Sequence, residues 1–190
     1  MFDPFIQYLK QFREIPTEDV DMIESELLYR KVLEDECLLE EGRRSAEIFF
    51  ICKGVLKVVS GNNTEDEVTH YFFSENQFIV DWESLQNGTP ASISIKSACD
   101  AEVISLSKKS LTVLIRKITY MKELVSDITQ RALLEKINLR NSFLGDDAAT
   151  RYQKFLAQQP EVALRVSLGS IASYLGITQQ SLSRIRKNTP

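Results

Sequence analysis

A run of polar and cationic side chains near the C-terminus offers the most informative chemistry in this sequence. Hydrogen-bond donors and positive charges, with no carboxylate among them, come from Thr178, Gln179, Gln180, Ser181, Ser183, Arg184, Arg186 and Lys187. Such groups can bond to base edges and to phosphates in the major groove of DNA. These residues therefore predict a helix surface that binds double-stranded DNA.

The residues around this run predict a helix-turn-helix that would hold the surface in place. Two apolar pairs at helical spacing are expected to face the angle between two short helices: Ile171 with Leu175, and Leu182 with Ile185. Gly176 suits the turn, where a positive φ is favoured, while Ser167 and Thr178 can cap the two helices. The alternative is a helical hairpin with no nucleic-acid role.

Charge is distributed unevenly along the chain. Residues 1–145 carry 17 Lys and Arg against 24 Asp and Glu, whereas residues 146–190 carry 6 against 3. The overall charge of −4 argues against a generally basic coat. The positive excess nevertheless lies where the DNA-binding helix is predicted.

Catalytic and metal-binding patterns are weak. Cys37, Cys52 and Cys99 are widely spaced and His70 is the only histidine, so neither a zinc site nor an iron–sulfur cluster is expected. We expect the cysteines to be small core residues in strands and His70 to be a strand residue. Because the sequence lacks a phosphate-binding glycine loop and a nucleophile motif, we expect no catalytic residues, no metal and no enzyme activity.

The first half of the chain predicts helices followed by strands. Residues 2–28 are expected to be helical, with Thr17 as an N-cap and an apolar stripe that ends at Leu27 and Leu28. Residues 29–107 hold short period-two segments separated by turns, among them residues 61–63. This pattern is typical of a small barrel or jelly roll.

Residues 108–143 contain no Gly or Pro and predict one continuous helix. Its apolar stripe is expected to pack against its copy in a homodimer, through Met121, Leu124, Val125, Ile128 and Ala132. The alternative is an ordinary helix packed on its own barrel. Asp146 or Asp147 then caps a further helix, which Pro160 ends.

The order of these parts resembles the Crp/Fnr family of bacterial transcription regulators. Residues 41–42 and 48–54 are similar to the family's first hairpins, residues 77–83 to the segment that leads into its cyclic-nucleotide cassette, and residues 182–185 to its recognition helix. The resemblance implies an α+β fold with an N-terminal β-roll or jelly roll of the cyclic-nucleotide-binding type. The implied domains are a sensor domain with N-terminal helices (1–116), a dimerisation helix (117–144) and a helix-turn-helix domain (145–190).

The cassette departs from that of the family members that bind cyclic AMP. Those members carry a Gly-Glu pair for the ribose and an Arg-Ser or Arg-Thr pair for the phosphate. Here these places hold Val80-Asp81 and Ala91-Ser92. A buried phosphate would lack its counter-charge, and Asp81 and Glu83 would repel it.

The sequence therefore predicts that cyclic AMP does not bind and that no cofactor is present. The candidate effector pocket around Val80, Asp81, Trp82, Glu83, Ala91 and Ser92 is expected to bind either another, unidentified ligand or nothing. Trp82 is expected either to be a wall of this pocket or a plain core aromatic.

The implied function is that of a DNA-binding transcriptional regulator, with double-stranded DNA, a second copy of the chain and RNA polymerase as partners. The alternative is a β-roll module for protein interaction or small-ligand sensing, with weak or no specific DNA binding. The absence of a long apolar run predicts a cytoplasmic protein without a membrane partner. If the natural protein ends at Pro190, it lacks the β-hairpin wing of many family members. We then expect its DNA affinity to be modest or to depend more on salt-sensitive contacts elsewhere.

Overall fold

The computed structural model describes residues 1–61 and 67–188. The helices of this part are α1 (Asp3–Lys10), α2 (Thr17–Ser25), α3 (Trp82–Asn87), α4 (Lys108–Lys117), α5 (Met121–Asn141), α6 (Ala148–Gln158), α7 (Pro160–Arg165), α8 (Leu168–Tyr174) and α9 (Gln179–Asn188). Its strands are β1 (Leu27–Val32), β2 (Cys37–Leu39), β3 (Glu47–Lys53), β4 (Leu56–Ser60), β5 (Val68–Phe73), β6 (Phe78–Ile79), β7 (Ser94–Ser97) and β8 (Ala101–Ser107).

The strands form two four-stranded antiparallel sheets that face each other. The first sheet has the strand order β1-β8-β3-β6, and the second has the order β2-β7-β4-β5. Because side chains alternate along a strand, each sheet turns one set of apolar residues inward. The core between the sheets contains Phe49, Ile51, Ile79, Ile95 and Val103. This β-roll confirms the predicted jelly-roll class and the α+β fold.

The other face of the first sheet is covered by helices. Ile48 and Phe50 of β3 point to this side and pack with residues of α1, α4 and α5. The rings of Phe5 and Phe50 meet edge to face, with their centroids 5.3 Å apart. The sheet therefore separates two cores, one between the sheets and one beneath the helices.

A third core joins the C-terminal helices to the second sheet. Phe72 of β5 packs with Phe155 of α6, Tyr174 of α8 and Leu182 of α9. The Phe72 and Tyr174 rings lie 5.2 Å apart between centroids. The helix-turn-helix unit thus packs against the β-roll of its own chain.

The N-terminal helices differ from the sequence prediction in two respects. Pro16, not Thr17, occupies the N-cap position of α2, and Thr17 is its first helical residue. Leu27 and Leu28 do not extend the helix but open β1, where Leu27 is buried and Leu28 is 58% exposed. An apolar residue such as Leu27 fits the pattern of either an amphipathic helix or a strand. Here it lies in a strand, because β1 pairs with β8.

The predicted single helix over residues 108–143 is wrong, because it is two helices. Ile118, at the C-terminus of α4, has an extended backbone with φ −105° and ψ 111°. It is 2% exposed and packs in the core beneath the helices. The helix is thus interrupted at Ile118, where the side chain is buried, and not at a Gly or Pro. The local sequence pattern does not predict this interruption.

Several local predictions are confirmed. Asp147 caps α6 by accepting a hydrogen bond from Thr150 N at 2.8 Å. Gly54 lies between β3 and β4 with φ +98°, and a Cβ there would lie 2.7 Å from Ala101. The predicted turn at residues 61–63 falls largely outside the described residues.

Candidate functional site

The predicted helix-turn-helix is present as α8 and α9. Gly176 lies in the turn with φ +67°, the left-handed region that favours glycine. Ile171, Leu175 and Leu182 are buried in the angle between the two helices, and Ile185 is half-buried against the same core. These contacts fix the orientation of α9 relative to α8.

The start of α9 is held by its own side chains. Thr178 Oγ1 accepts a hydrogen bond from Ser181 N at 3.1 Å and lies 3.0 Å from Ser181 Oγ. Two of the eight residues predicted to bind DNA are therefore occupied in capping the helix. The capping role of Thr178 and Ser181 explains these residue types even if neither side chain contacts a base.

The other predicted DNA-binding residues lie on the exposed face of α9. They are Gln179, Gln180, Ser183, Arg184, Arg186 and Lys187. Within the described part of the chain, none of the three cations on this helix has a carboxylate within ion-pair distance. The face is thus positively charged and rich in donors that have no acidic neighbour, which suits phosphates and base edges.

Two polar contacts anchor the helix-turn-helix unit to the β-roll. Ser173 of α8 accepts a hydrogen bond from Thr69 N at 2.9 Å and donates to Glu67 O at 3.2 Å. Arg165 of α7 binds both carboxylate oxygens of Glu75, at 2.5 and 2.9 Å. Burial raises the pKa of Glu75, but the hydrogen bonds from Arg165 and from backbone N–H groups, together with the positive charge of Arg165, leave the pKa below its usual value.

The cassette segment is held by internal hydrogen bonds. Asp81 caps α3 and accepts from Ser84 N at 2.9 Å, and Ser84 Oγ donates to Thr89 O at 2.6 Å. Ala91 N donates to Arg43 O at 2.7 Å. The backbone N–H that would flank a bound phosphate at Ala91 is therefore already used by the protein.

The six residues predicted to form one effector pocket are not brought together. Ala91 is 4% exposed and packs in the core between the sheets. Val80 and Trp82 line a cavity on the opposite side of the first sheet, beneath α5. Glu83 and Ser92 are exposed. The separation follows from the alternation of side chains, which points Ile79 and Val80 to opposite faces of the sheet.

The stripe of α5 predicted to form a dimer contact faces largely inward. Met121, Leu124 and Ile128 are 4%, 1% and 8% exposed and pack in the core beneath the helices, whereas Val125 and Ala132 are half-buried. A different apolar row on α5 faces outward. It consists of Leu133, Leu134 and Ile137, which are 59%, 61% and 44% exposed.

The remaining candidate residues show no clustering. Cys37 is exposed, so the expectation of a core position is wrong for this residue, whereas Cys52 and Cys99 are half-buried and pack against two of the cores. Burial raises the pKa of all three thiols, that of Cys52 to about 11. His70 lies in β5, as predicted, 2.7 Å from Ser60 Oγ. Among the described residues, no three His, Cys, Asp or Glu side chains are placed to hold a metal ion.

No helix of the described part is both long and apolar enough to cross a membrane.

Comparison with known proteins supports the sequence resemblance. Residues 29–117 match the family described as the cyclic nucleotide-binding domain. The comparison with curated proteins found no match.

Solved structures of bacterial regulators share the fold. FixK2 from Bradyrhizobium japonicum has a TM-score of 0.70 at 16% identity, covering 85% of this chain and 83% of its own. The c-di-GMP responsive global regulator CLP of Xanthomonas campestris also gives 0.70, at 13% identity and 91% coverage of both chains. A putative transcriptional regulator of the Crp/Fnr family from Eubacterium rectale gives 0.71, at 12% identity, with 96% of this chain and 87% of that chain covered.

These matches span the β-roll, α5 and the C-terminal helices in one chain. Residues 29–117 are thus similar to the cyclic nucleotide-binding domain family, and the chain as a whole shares its fold with these solved bacterial regulators.

Proposed function

We propose that this protein is a DNA-binding transcriptional regulator of the Crp/Fnr type that acts as a homodimer and does not respond to cyclic AMP. The observation that carries the proposal is the exposed face of α9. Arg184, Arg186 and Lys187 lie there without an acidic partner in the described part of the chain. The apolar residues between α8 and α9 are packed in a core that fixes the orientation of this helix.

A homodimer is supported by the exposed apolar row on α5. Leu133, Leu134 and Ile137 occupy one side of a 21-residue helix, away from the core that buries Leu124. Adjacent exposed apolar side chains on a helix are typical of a surface that packs against another copy. In such a dimer we expect the two α9 helices to lie about one DNA turn, ~34 Å, apart, as in helix-turn-helix dimers generally.

Insensitivity to cyclic AMP is supported by the cassette. Ala91 supplies no positive charge, its N–H is bonded to Arg43 O, and the Asp81 carboxylate is occupied in capping α3. A cyclic phosphate there would be a buried anion without a charge-assisted partner.

Selection of DNA fragments by the purified protein from a fragmented genome tests the function directly. We expect a defined set of fragments that share a two-fold symmetric motif, with two half-sites about 10 base pairs apart from centre to centre. The double variant Arg184→Ala with Arg186→Ala should lose the enrichment.

A matched control removes two exposed lysines far from α9, through Lys31→Ala with Lys109→Ala. This variant changes the net charge equally and should retain the motif. If the wild-type protein enriches no motif, the chain is a β-roll interaction or sensing module and the proposed function is wrong.

A further inference from the structure

A cavity of about 260 Å³ lies between α5 and the helical side of the first sheet. One wall is a stripe of α5 that runs from Met121 to Lys136, at the helical spacing of three and four residues. The facing wall is apolar and includes Phe5 of α1, Ile23 of α2 and Phe78 of β6. We call this space the α5 cavity.

The α5 cavity is not the place where the cassette would hold a nucleotide. The cassette residue Ala91 packs in the core between the two sheets. Phe78 and Val80 line the α5 cavity, whereas Ile79 between them points into the core between the sheets. A ligand of the α5 cavity would therefore be separated from Ala91 by the first sheet.

The shape of the α5 cavity favours a slim ligand. Eight residues of α5 line it, and they lie between Met121 and Lys136, a rise of ~22 Å along the helix. Its volume of about 260 Å³ lies below the ~300–1,000 Å³ of pockets that hold drug-sized molecules. A long lining and a small volume suit one unbranched chain better than a ring system.

Lys136 supplies positive charge at one end of this apolar stripe. Its Nζ donates to Phe72 O at 3.1 Å and lies 3.7 Å from the centre of the Phe73 ring. Within the described residues, no carboxylate lies within ion-pair distance of this ammonium. An ammonium has three donor hydrogens, so the hydrogen bond to Phe72 O leaves capacity for an anionic partner. Burial lowers the pKa of Lys136 to about 8, which a bound anion would reverse.

We propose that the α5 cavity binds an unbranched aliphatic carboxylate, a medium-chain fatty acid. The alkyl chain lies along the apolar stripe of α5, and the carboxylate accepts a hydrogen bond from Lys136 Nζ. Apolar burial supplies most of the affinity, at ~0.8 kcal/mol for each buried CH₂ group, and Lys136 selects an acid over an alcohol. The cavity reaches the surface beside Trp82, which is 36% exposed and lies outside the apolar row of the proposed dimer contact, so a chain can enter there.

Trp82 is the only tryptophan in the chain, and it lines the α5 cavity, so its fluorescence can report binding. The purified full chain is titrated with sodium decanoate below its micellar concentration, and separately with 1-decanol. Calorimetry of the same titration serves as a second measurement in case the Trp82 signal does not change. We expect saturable binding of one decanoate per chain, tighter than that of decanol.

Three variants test the placement. Lys136→Met keeps the length and apolar character of the side chain, and it should weaken decanoate binding about tenfold or more while leaving decanol unchanged, as expected for one lost charge-assisted hydrogen bond. Ala132→Leu should weaken both ligands because it fills the cavity. Lys109→Met removes an exposed charge on α4, outside the lining, and should change neither.

Several results would overturn the proposal. One is the absence of saturable decanoate binding by both fluorescence and calorimetry, as expected if side chains of a second copy fill the cavity. Equal affinity of the wild-type protein and Lys136→Met for decanoate would also exclude it. Circular dichroism and thermal unfolding of each variant establish that the fold is retained. DNA plays no part in these measurements, so a failure to bind decanoate and a failure to enrich a DNA motif are separate results.

Discussion

Arg184 lies on the exposed face of α9 between the cap at Thr178 and the last turn of the helix. We predict that it bonds a guanine base, because a guanidinium can donate to O6 and N7 together. Arg184→Ala should weaken binding to the selected duplex by about 1–3 kcal/mol and affect a scrambled duplex little. Binding curves on both duplexes provide the measurement.

Arg186 is the matched control on the same helix. Located nearer the helix end, it is expected to bond phosphate, so Arg186→Ala should weaken both duplexes alike and lower the salt slope by about one unit. An equal loss on both duplexes for Arg184→Ala would show that Arg184 also binds only phosphate.

The cassette residues carry a second prediction at this scale. Cyclic AMP should bind with a dissociation constant no better than about millimolar, because a charge-assisted hydrogen bond worth ~1.5–3 kcal/mol is lost with the arginine. The structure adds that Ala91 N is committed to Arg43 O at 2.7 Å. Calorimetry with cyclic AMP and cyclic GMP is the measurement, and a micromolar constant for either would contradict it.

Lys136 makes stability depend on pH. Its folded pKa of about 8 lies below the usual 10.5, mainly because of burial, which Glu135 partly offsets. Between about pH 8 and 10.5 the unfolded chain therefore binds more protons at this residue than the folded chain. Its contribution to the free energy of unfolding should rise with pH across that window.

Comparison of the wild type with the variant Lys136→Met isolates this effect, because every other titratable group is present in both proteins. The unfolding free energy of the wild type minus that of Lys136→Met should increase between pH 8 and 10.5 by at most about 3–4 kcal/mol. Urea unfolding at several pH values measures it. A difference that stays constant across the window would mean that Lys136 has an ordinary pKa.

At the scale of elements, α5 presents two apolar surfaces with different partners. Leu124 and Ile128 face the core beneath the helices, and Leu133 and Ile137 face outward. The double variant Leu133→Glu with Ile137→Glu should convert a dimer to a folded monomer, because two charges would face each other across the interface. Light scattering after size exclusion gives the mass, and circular dichroism confirms the fold.

Leu124→Glu is the contrasting variant. Leu124 is 1% exposed, so a glutamate there would bury an unpaired carboxylate and should unfold the chain rather than dissociate a dimer. If Leu133→Glu with Ile137→Glu leaves the mass of a dimer unchanged, the dimer contact lies elsewhere.

At the scale of the whole molecule, the pair Arg165–Glu75 joins the C-terminal helices to the β-roll. The side chains of Arg165 and Glu75 are 27% and 31% exposed, and the pair is bidentate. Because the folded pKa of Glu75 is lowered, its contribution is present above the unfolded pKa and disappears as the pH falls through the folded pKa. Glu75→Gln should therefore lower the free energy of unfolding by about 1–2 kcal/mol near pH 7 and by less at acidic pH.

The exposed pair Arg43–Glu40 provides the comparison for this prediction. Its side chains are 79% and 69% exposed, so Glu40→Gln should change stability little. Thermal unfolding of both variants across pH decides the matter. If Glu75→Gln lowers the free energy of unfolding no more than Glu40→Gln does, the Arg165–Glu75 pair does not stabilise the packing of the C-terminal helices on the β-roll.

Local chemistry was sufficient to predict most elements near the C-terminus. Gly176, Ser167, Thr178 and Asp147 have roles that depend only on neighbours within a few residues, and each lies where its residue type predicts. The α9 face was predictable for the same reason, since helical spacing alone groups its polar residues. The resemblance to Crp/Fnr regulators rested on the order of such local motifs.

The remaining features depend on which surfaces meet in the folded chain. Ile118 interrupts a sequence of strong helix formers because its side chain is buried, and Leu27 joins a strand because β8 lies beside it. The sheet, and not the spacing in sequence, separates Val80 from Ala91 and places Lys136 against Phe72. Sequence pattern determined what each segment can form, whereas tertiary contacts decided which face of each segment is buried, because burial depends on partners that are distant in the chain.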